Sequence, residues 1–286
     1  MRQQMLPTIE PSENDLVEFA MAEPLLSKID KAVALLKLYE YEALKRSDDG
    51  YWLAYSGGKD SNCILELAKM AGVKYRPVYN VTTIDAPELV RYIKTDHPEV
   101  EFNRPRVSMM TRMVERTNGP PTRLSRWCCE EYKERGGKGM VKVIGVRAAE
   151  SPRRKALWHT VMPQQKNGIS VCPILYWADA DVWEFHRLRT LTYCKLYDEG
   201  FSRLGCVGCP LAGVDNMKKE FARWPKIEQG WRRAVDRFWD SHHGTLTKLG
   251  KTRWFEKLGS AQGVWDWWLR QEPENGEECQ GLGLYT

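Results

Sequence analysis

Six consecutive residues form the feature of this sequence with the clearest chemistry. They are Ser56, Gly57, Gly58, Lys59, Asp60 and Ser61, and they lie between a short apolar run and an amphipathic helical pattern. Two glycines let the backbone approach phosphate oxygens, and the N–H groups at the start of the next helix attract an anion. Lys59 adds a mobile positive charge, and Asp60 or Ser61 can cap the helix. An ordinary glycine-rich turn is the alternative, but the complete hexapeptide favours a phosphate-binding loop.

Four of the eight cysteines form two close groups. These are the adjacent Cys128 and Cys129, and the Cys-x-x-Cys pair of Cys206 and Cys209. Four thiolates suit either a zinc ion or a 4Fe–4S cluster. Adjacent cysteines hold their sulfurs apart, which favours a cluster with separated irons. We expect Cys63 and Cys172 to be buried thiols, and Cys194 stays open as a substitute ligand.

The segments around these residues resemble the PAPS/APS reductase family, in the iron–sulfur branch of the PP-loop ATP pyrophosphatase superfamily. The matching stretches are Ser-Gly-Gly-x-Asp-Ser at 56–61, Cys-Cys at 128–129, Gly-x-Arg-x-x-Glu-Ser-x-x-Arg at 145–154, Pro-Ile-x-x-Trp at 173–177, Asp-Val-Trp at 181–183, and the segment 196–205 that leads into Cys-x-x-Cys. They follow one another in the family's order between residues 50 and 211.

The resemblance implies an adenine nucleotide α-hydrolase-like, Rossmann-type fold and an adenine nucleotide substrate. Proteins with this loop typically cleave ATP between the α and β phosphates, and we expect Mg²⁺ to accompany the ATP. The four grouped cysteines would hold a 4Fe–4S cluster, and Lys133 would lie between that cluster and the substrate. Arg147, Arg153 and Arg154 would bind phosphate or sulfate oxygens, since guanidinium groups match tetrahedral anions. The alternative for these arginines is a solvated loop.

Two features differ from the reductases. Their phosphate loop generally lacks the lysine, whereas this sequence keeps Lys59, which favours ATP and adds a similarity to the DNA phosphorothioation sulfurtransferase. The reductases also end in Glu-Cys-Gly-Leu-His, whose cysteine attacks the substrate sulfur. Here Gln280 follows Cys279 and the histidine is missing. Cys279 is therefore either a nucleophile or an idle cysteine near a frayed terminus.

The favoured function is an enzyme that adenylylates an acceptor, releases pyrophosphate and uses the cluster for sulfur transfer. Catalytic roles fall to Lys59, Lys133 and Cys279, and the sulfur donor would be a cysteine desulfurase. The first alternative is a sulfonucleotide reductase that forms sulfite with thioredoxin. The second is a zinc-containing nucleic-acid-binding protein. Basic residues are interspersed with tryptophans between residues 212 and 270, which permits a nucleic-acid acceptor but more often reflects helix packing.

The elements that must position these residues alternate along the chain. Apolar runs predict strands at 51–55, 75–81, 141–146 and 170–175, and helical patterns lie at 12–47, 62–71, 87–94 and 178–188. This alternation predicts a parallel sheet sandwiched by helices. We expect an N-terminal helical arm at 1–48, an α/β domain at 49–211, and a helical C-terminal domain with a flexible tail at 212–286.

Composition narrows the class of protein. The 43 Lys and Arg against 38 Asp and Glu give a net charge of +5, which suits an anionic substrate without requiring nucleic acid. No apolar run reaches the roughly 20 residues that cross a bilayer, and the N-terminus lacks a signal-peptide pattern. The sequence therefore predicts a cytoplasmic enzyme without a membrane partner.

Overall fold

The computed structural model describes residues 13–164 and 168–270. Contacts divide the chain into two units, each built from separate stretches. The first unit comprises the described parts of Met1–Tyr79, Glu88–Asn103 and Gly136–Leu204, and the second comprises those of Asn80–Pro87, Arg104–Arg135 and Gly205–Thr286. The predicted division at residues 48 and 211 follows chain order instead, and it stays a prediction.

A mostly parallel sheet forms the centre of the first unit. Its strands are β1 (Tyr51–Tyr55), β2 (Tyr75–Asn80), β3 (Glu101–Asn103), β4 (Val141–Val143), β5 (Val161–Pro163) and β6 (Ile169–Val171), in the order β3-β2-β1-β4-β6-β5. β1 pairs in parallel with β2 and β4, and β4 with β6, whereas β5 runs antiparallel to β6. The predicted fold class is confirmed.

Helices flank this sheet. They are α1 (Glu13–Ala22), α2 (Leu25–Arg46), α3 (Lys59–Ala71), α4 (Pro87–Asp96), α6 (Pro152–Leu157) and α7 (Asp179–Leu188). Helix α3 packs against both α2 and α7. It ends at Gly72, whose φ of 66° allows the left-handed cap that closes many helices. The phosphate loop therefore opens onto a helix that is packed on two sides.

Helices and aromatic side chains form the second unit. Its helices are α5 (Met109–Glu115), α8 (Val214–Arg223), α9 (Pro225–His242) and α10 (Ala261–Arg270). Helix α9 packs against α5, α8 and α10. The buried indole rings of Trp231 and Trp268 lie 4.9 Å apart at the centre of this packing. The tryptophans of the C-terminal region thus form an aromatic core.

The structure corrects several predicted boundaries. The expected helix over 12–47 is two helices, because Pro24 precedes α2 and disfavours helical geometry in the residue before it. Helix α3 starts at Lys59 instead of residue 62, within the loop motif itself. The strand expected at 141–146 ends at Val143, and the one expected at 170–175 ends at Val171. Short elements without a periodic pattern, namely β3, β5, α5 and α6, were not predicted.

No helix in the described part of the chain combines the length and apolar content that a transmembrane segment needs.

Candidate active site

The phosphate loop leaves strand β1 and runs directly into helix α3. Its backbone turns at Gly57, where φ is 74°, and a Cβ atom there would lie 2.7 Å from side-chain atoms of Leu89 and Ile93. Glycine therefore meets two requirements at once, a positive φ and a lack of space. Inside the loop, the Ser61 hydroxyl donates a hydrogen bond to the Gly58 carbonyl oxygen at 2.7 Å.

Two buried cations lie at the start of α3. The Lys59 ammonium group lies 3.3 Å from a carboxylate oxygen of Asp60 and 3.1 Å from one of Asp179. The Arg147 guanidinium contacts the same carboxylates, at 2.6 Å for Asp60 and 3.0 Å for Asp179. Only 6% of Lys59 and 4% of Arg147 is exposed. Because buried charges need partners, the two carboxylates hold both cations beside the loop.

This network also changes the acidity of Asp179. Burial alone would raise its pKa, but the hydrogen bond from Lys59 and the charges of Lys59 and Arg147 hold the pKa below its usual value. Asp179 is therefore a carboxylate at neutral pH, and it carries the negative charge that the two cations require.

Two aromatic side chains contact the backbone at the start of α3. The Lys59 N–H donates a hydrogen bond to the Tyr197 hydroxyl oxygen at 3.0 Å. The Lys59 carbonyl oxygen accepts one from the Nε2 atom of His186 at 2.9 Å, which requires the proton of this imidazole to be on Nε2. Burial lowers the pKa of His186, so the ring is neutral at pH 7. These contacts fix the first residue of the helix from both of its backbone groups.

The three predicted arginines have different surroundings. Arg147 joins the carboxylate network, whereas Arg154 forms an ion pair with Glu150 and Arg153 is exposed. The loop that carries them starts close to the phosphate loop, since a Cβ atom on Gly145 would lie 3.1 Å from the Asp60 carbonyl oxygen. Of the three, Arg147 is the one whose described contacts reach the phosphate loop.

All four grouped cysteines line one pocket within the second unit. The pocket holds about 310 Å³ of space without protein atoms, part of it open solvent. Its lining residues are Ile84, Met109, Pro121, Cys128, Cys129, Lys133, Cys206, Gly208, Cys209, Pro210 and Trp231. The pocket therefore brings together Lys133 and the two cysteine pairs, which are far apart in the sequence.

The Cys-x-x-Cys turn is fixed by its backbone. The Val207 N–H donates to the Ile84 carbonyl oxygen at 2.9 Å, and the Gly208 N–H donates to a Glu220 carboxylate oxygen at 2.7 Å. The indole N–H of Trp231 donates to the Val207 carbonyl oxygen at 3.2 Å. On the other side of the pocket, Cys129 begins one π-helical turn, Cys129–Lys133. Such turns are rare and frequent at functional sites.

Cationic side chains oppose the effect of burial on the pKa of two thiols in this pocket. A hydrogen bond from Cys128, then one from Arg126 and the charges of Arg126 and Lys133, lower the pKa of Cys129. Burial raises the pKa of Cys206 to about 11, but the Lys133 charge opposes that shift. Thiolates are the metal-binding form of cysteine, and Arg126 and Lys133 favour that form at Cys129. The hydrogen bond with Cys129, burial and the neighbouring sulfurs raise the pKa of Cys128 instead.

Four thiols in one pocket are a donor set that a zinc ion and a 4Fe–4S cluster both accept. Among the residues that the structure describes, no three His, Cys, Asp or Glu side chains are arranged to hold one metal ion. The four thiols nevertheless share one pocket, and a 4Fe–4S cluster takes one thiolate on each of four irons.

A comparison of domain sequences decides the family. The phosphoadenosine phosphosulfate reductase domain matches residues 50–212, more than half of the chain. The chain belongs to this family. The predicted resemblance to PAPS/APS reductases is thereby confirmed.

Curated relatives of this PAPS reductase domain include reductases and uncharacterised proteins. An uncharacterised protein of Methanocaldococcus jannaschii is 28% identical over 73% of the chain, and a second one is 27% identical over 79%. The matched regions cover 53% and 47% of those proteins, so the chain spans about half of their length. Adenosine 5'-phosphosulfate reductase 2 of Bacillus subtilis is 23% identical over 76% of the chain and 92% of its own length.

Solved structures that resemble this chain include a PAPS reductase. That enzyme, from Candida auris in a phosphate complex, matches 70% of this chain and 98% of its own with a TM-score of 0.45 and 15% identity. The FMN adenylyltransferase of Candida glabrata, in complex with FAD and pyrophosphate, matches 68% and 70% with a TM-score of 0.44 and 17% identity.

The other cysteines of this PAPS reductase family member lie outside the four-thiol pocket. Cys63, Cys172 and Cys194 are buried free thiols, which agrees with the prediction for the first two. Burial raises the pKa of Cys194. Cys279, the predicted nucleophile of the tail, lies outside the described residues.

Sequence reasoning missed three residues at these two sites. Tyr197 lies in the quoted segment 196–205, but no local pattern links it to the phosphate loop. Asp179 stands between the matched stretches 173–177 and 181–183, and Arg126 stands two residues before Cys128. Each of the three residues lies in or beside a recognised motif, which was the signal available. Their contacts could not be predicted, because they join residues distant in the sequence or depend on side-chain geometry.

Proposed function

We propose that the chain binds ATP with Mg²⁺ at residues 56–61 and transfers the adenylyl group to an acceptor. An oxygen of the acceptor attacks the α-phosphorus, the bond from that phosphorus to the bridging oxygen breaks, and pyrophosphate leaves with the bonding electrons. The acceptor's proton passes to solvent. The terminal sulfur of a persulfide that a cysteine desulfurase supplies then attacks the activated acceptor and displaces AMP. A thiol reductant cleaves the remaining S–S bond, which leaves the sulfur on the acceptor. A nucleic acid or a small molecule is the acceptor, and the reaction takes place in the cytoplasm.

The observation that carries this proposal is the buried Lys59 ammonium at the start of helix α3, next to Arg147. Negative charge builds on the phosphate oxygens as the α–β bond breaks, and fixed cations with little water around them stabilise that charge strongly. The glycine turn and the N–H groups of the first helical turn provide the other contacts to phosphate.

Asp60 and Asp179 suit the Mg²⁺ that accompanies ATP. Magnesium usually binds through one or two carboxylates together with substrate phosphates, and it keeps several waters. Two carboxylates beside the phosphate loop match that preference, and a three-ligand protein site is not needed. When the phosphates arrive, they would replace these carboxylates as partners of Lys59 and Arg147.

The four pocket cysteines, Cys128, Cys129, Cys206 and Cys209, would hold a 4Fe–4S cluster. When bound, the cluster would supply an iron site that carries sulfur. Lys133 would compensate the charge of the thiolates, since its charge helps to lower the pKa of Cys129 and opposes the effect of burial on the pKa of Cys206. Free thiols at all seven described cysteines suit a reducing compartment such as the cytoplasm.

A sulfonucleotide reductase is the second candidate, and the 23% identity to adenosine 5'-phosphosulfate reductase 2 of Bacillus subtilis favours it. In that reaction the Cys279 thiolate would attack the sulfur of APS or PAPS, and the nucleotide would leave as a phosphate. Thioredoxin would then reduce the Cys279 thiosulfonate and release sulfite. Arg147 would bind the anionic substrate in this case.

Two assays of one anaerobic preparation distinguish the candidates. Iron and acid-labile sulfide are measured first, and four of each per chain are expected. The protein then receives ATP and Mg²⁺ with nucleic-acid and small-molecule acceptors, and separately APS or PAPS with thioredoxin. Acceptor-dependent pyrophosphate release supports the ATP reaction. Sulfite release without ATP selects the reductase, and a protein with zinc and neither activity contradicts both.

A further inference from the structure

The Tyr197 hydroxyl group accepts a hydrogen bond in this structure but does not donate one to a described residue. Its oxygen accepts the hydrogen bond from the Lys59 N–H at 3.0 Å, and helix α3 has no side-chain cap of its own at Gly58. A tyrosine hydroxyl also has one proton to donate. Within the described residues, no acceptor takes the proton of Tyr197.

The position of Tyr197 is fixed by packing. Its ring meets the Trp183 ring edge to face, with 5.2 Å between the centroids and an angle of 89° between the planes. A Cβ atom on Gly58 would come within 3.3 Å of the Tyr197 hydroxyl oxygen. The hydroxyl group therefore lies directly against the phosphate loop, and a side chain at residue 58 would crowd it.

The Tyr197 hydroxyl remains protonated at physiological pH. Burial raises its pKa above the ordinary value of a tyrosine, although the hydrogen bond from Lys59 acts in the opposite direction. A neutral hydroxyl whose oxygen is already polarised by an N–H donor is a good donor toward an anion.

We infer that Tyr197 is a phosphate-binding residue, whose hydroxyl donates its proton to a phosphate oxygen of the nucleotide held at residues 56–61. The inference rests on the proposed nucleotide site and adds a neutral donor to the two cations there. Tyr197 belongs to the segment 196–205, so this residue would link that segment both to the phosphate loop and to a bound nucleotide.

The test compares Tyr197→Phe with the wild type and with Tyr193→Phe. The control removes a hydroxyl from the same aromatic group, because the rings of Tyr193 and Tyr197 lie 6.4 Å apart. The Tyr193 hydroxyl instead donates to a carboxylate oxygen of Asp198 at 3.1 Å. Calorimetry measures binding of adenosine and of an ATP analogue with a methylene group between the α and β phosphates, both with Mg²⁺.

Tyr197→Phe is expected to bind the ATP analogue about 10- to 100-fold more weakly, the usual loss for a hydrogen bond to a charged group. Adenosine binding should stay within about twofold, and Tyr193→Phe should bind both ligands within about twofold, since neither case removes a phosphate contact. A merely structural role of Tyr197 would weaken both ligands equally and would overturn the inference.

The remaining outcomes are also decisive. If Tyr197→Phe bound the ATP analogue as tightly as the wild type, the hydroxyl would make no contribution to phosphate binding. If it bound the analogue more tightly, the hydroxyl would occupy the place of a phosphate oxygen. Either result would overturn the inference and leave the nucleotide site in place. A wild-type protein that binds neither ligand would overturn the proposed nucleotide site and this inference together.

Discussion

At the scale of single residues, the ion-pair network beside the phosphate loop links two buried cations to two carboxylates. Each cation contacts both Asp60 and Asp179, so removal of one cation leaves the other with excess negative charge around it. The two cations differ in the shape and flexibility of their side chains, which gives them separate roles in this network. Arg147 bridges the carboxylates with a rigid fork, whereas Lys59 has a flexible stem and can turn toward a ligand.

Lys59→Met should reduce pyrophosphate release from ATP by about 100-fold or more, because it removes the mobile charge that stabilises the leaving phosphates. The matched control is Lys69→Met on the same helix, since Lys69 is solvent-exposed and pairs with Glu99. That variant should keep wild-type activity. Steady-state pyrophosphate assays check both, and equal rates for Lys59→Met and the wild type would remove Lys59 from the mechanism.

The buried side chain of His186 should make the unfolding free energy of the protein depend on pH. Burial holds its pKa below 6.5, so the unfolded chain binds a proton that the folded chain does not. Stability is therefore fully present above pH 6.5 and declines as pH falls toward the folded pKa, by at most about 1.4 kcal/mol per pH unit. His186→Gln removes this titration and should flatten the decline.

Urea denaturation of the wild type and His186→Gln between pH 5 and 8 measures this difference. The comparison is His97→Gln, because burial also lowers the pKa of His97. That variant should independently reduce the loss of stability over the same pH range. Parallel curves for the wild type and His186→Gln would show that His186 is not the titrating group.

At the scale of elements, glycines fix the two turns that carry the candidate chemistry. Gly57 and Gly208 both have positive φ angles, and side-chain atoms lie close to the position of a Cβ atom in each case. Gly72 and Gly259 share the positive φ without any atom within 4 Å of that position. Substitutions at Gly72 and Gly259 therefore measure the effect of backbone strain alone. Substitutions at Gly57 and Gly208 add the effect of a steric clash.

Gly57→Ala should destabilise the protein more than Gly72→Ala. Both substitutions place alanine in the left-handed region, which costs about 1–2 kcal/mol. Gly57→Ala must also displace Leu89 and Ile93, for about 1–3 kcal/mol more, and it should weaken nucleotide binding. Chemical denaturation and calorimetry measure the two effects. Equal unfolding free energies for both variants would contradict the close packing at Gly57.

Gly208→Ala should lower the iron content of the anaerobic protein, whereas Gly259→Ala should not. A Cβ atom on Gly208 would lie 2.5 Å from the Phe221 ring, and an aromatic ring in a packed core cannot easily move. The Cys206–Cys209 turn would therefore shift. Iron analysis of both variants against the wild type checks this, and full iron loading of Gly208→Ala would show that the turn tolerates the shift.

At the scale of the whole molecule, both units are assembled from stretches far apart in the sequence. In the second unit the indole N–H of Trp268 donates to the Pro121 carbonyl oxygen at 2.7 Å, and His242 donates to the Val114 carbonyl oxygen at 2.8 Å. The C-terminal helices α9 and α10 thus fix the backbone of Arg104–Arg135, the stretch that contains Cys128 and Cys129.

A chain that ends after Ala212 should therefore lose protection of residues 104–135 against proteolysis. The control is a chain that ends after Arg270, which keeps the described contacts of α9 and α10. Limited proteolysis with mass spectrometry compares the two fragments. If residues 104–135 were equally protected in both, the boundary predicted at 212 would mark an independent C-terminal domain.

Features that are encoded in neighbouring residues could be predicted from the amino-acid sequence alone. The hexapeptide 56–61 between a strand and a helix, the strand 51–55 and the four grouped cysteines were all visible because each is encoded in neighbouring residues. Alternation of strands and helices also fixed the fold class, since a parallel sheet requires crossover connections. These features were sufficient to identify the family before any coordinates.

The distant side chains that contact these motifs could be identified from the folded structure but not from the sequence. The Tyr197 hydroxyl lies on the Lys59 N–H, and Asp179 pairs with Lys59 and Arg147. Strands β3 and β5 span three residues each and exist because their neighbours in the sheet provide hydrogen bonds. Such contacts depend on packing between segments that are far apart in the chain, so local propensity and periodicity do not specify them.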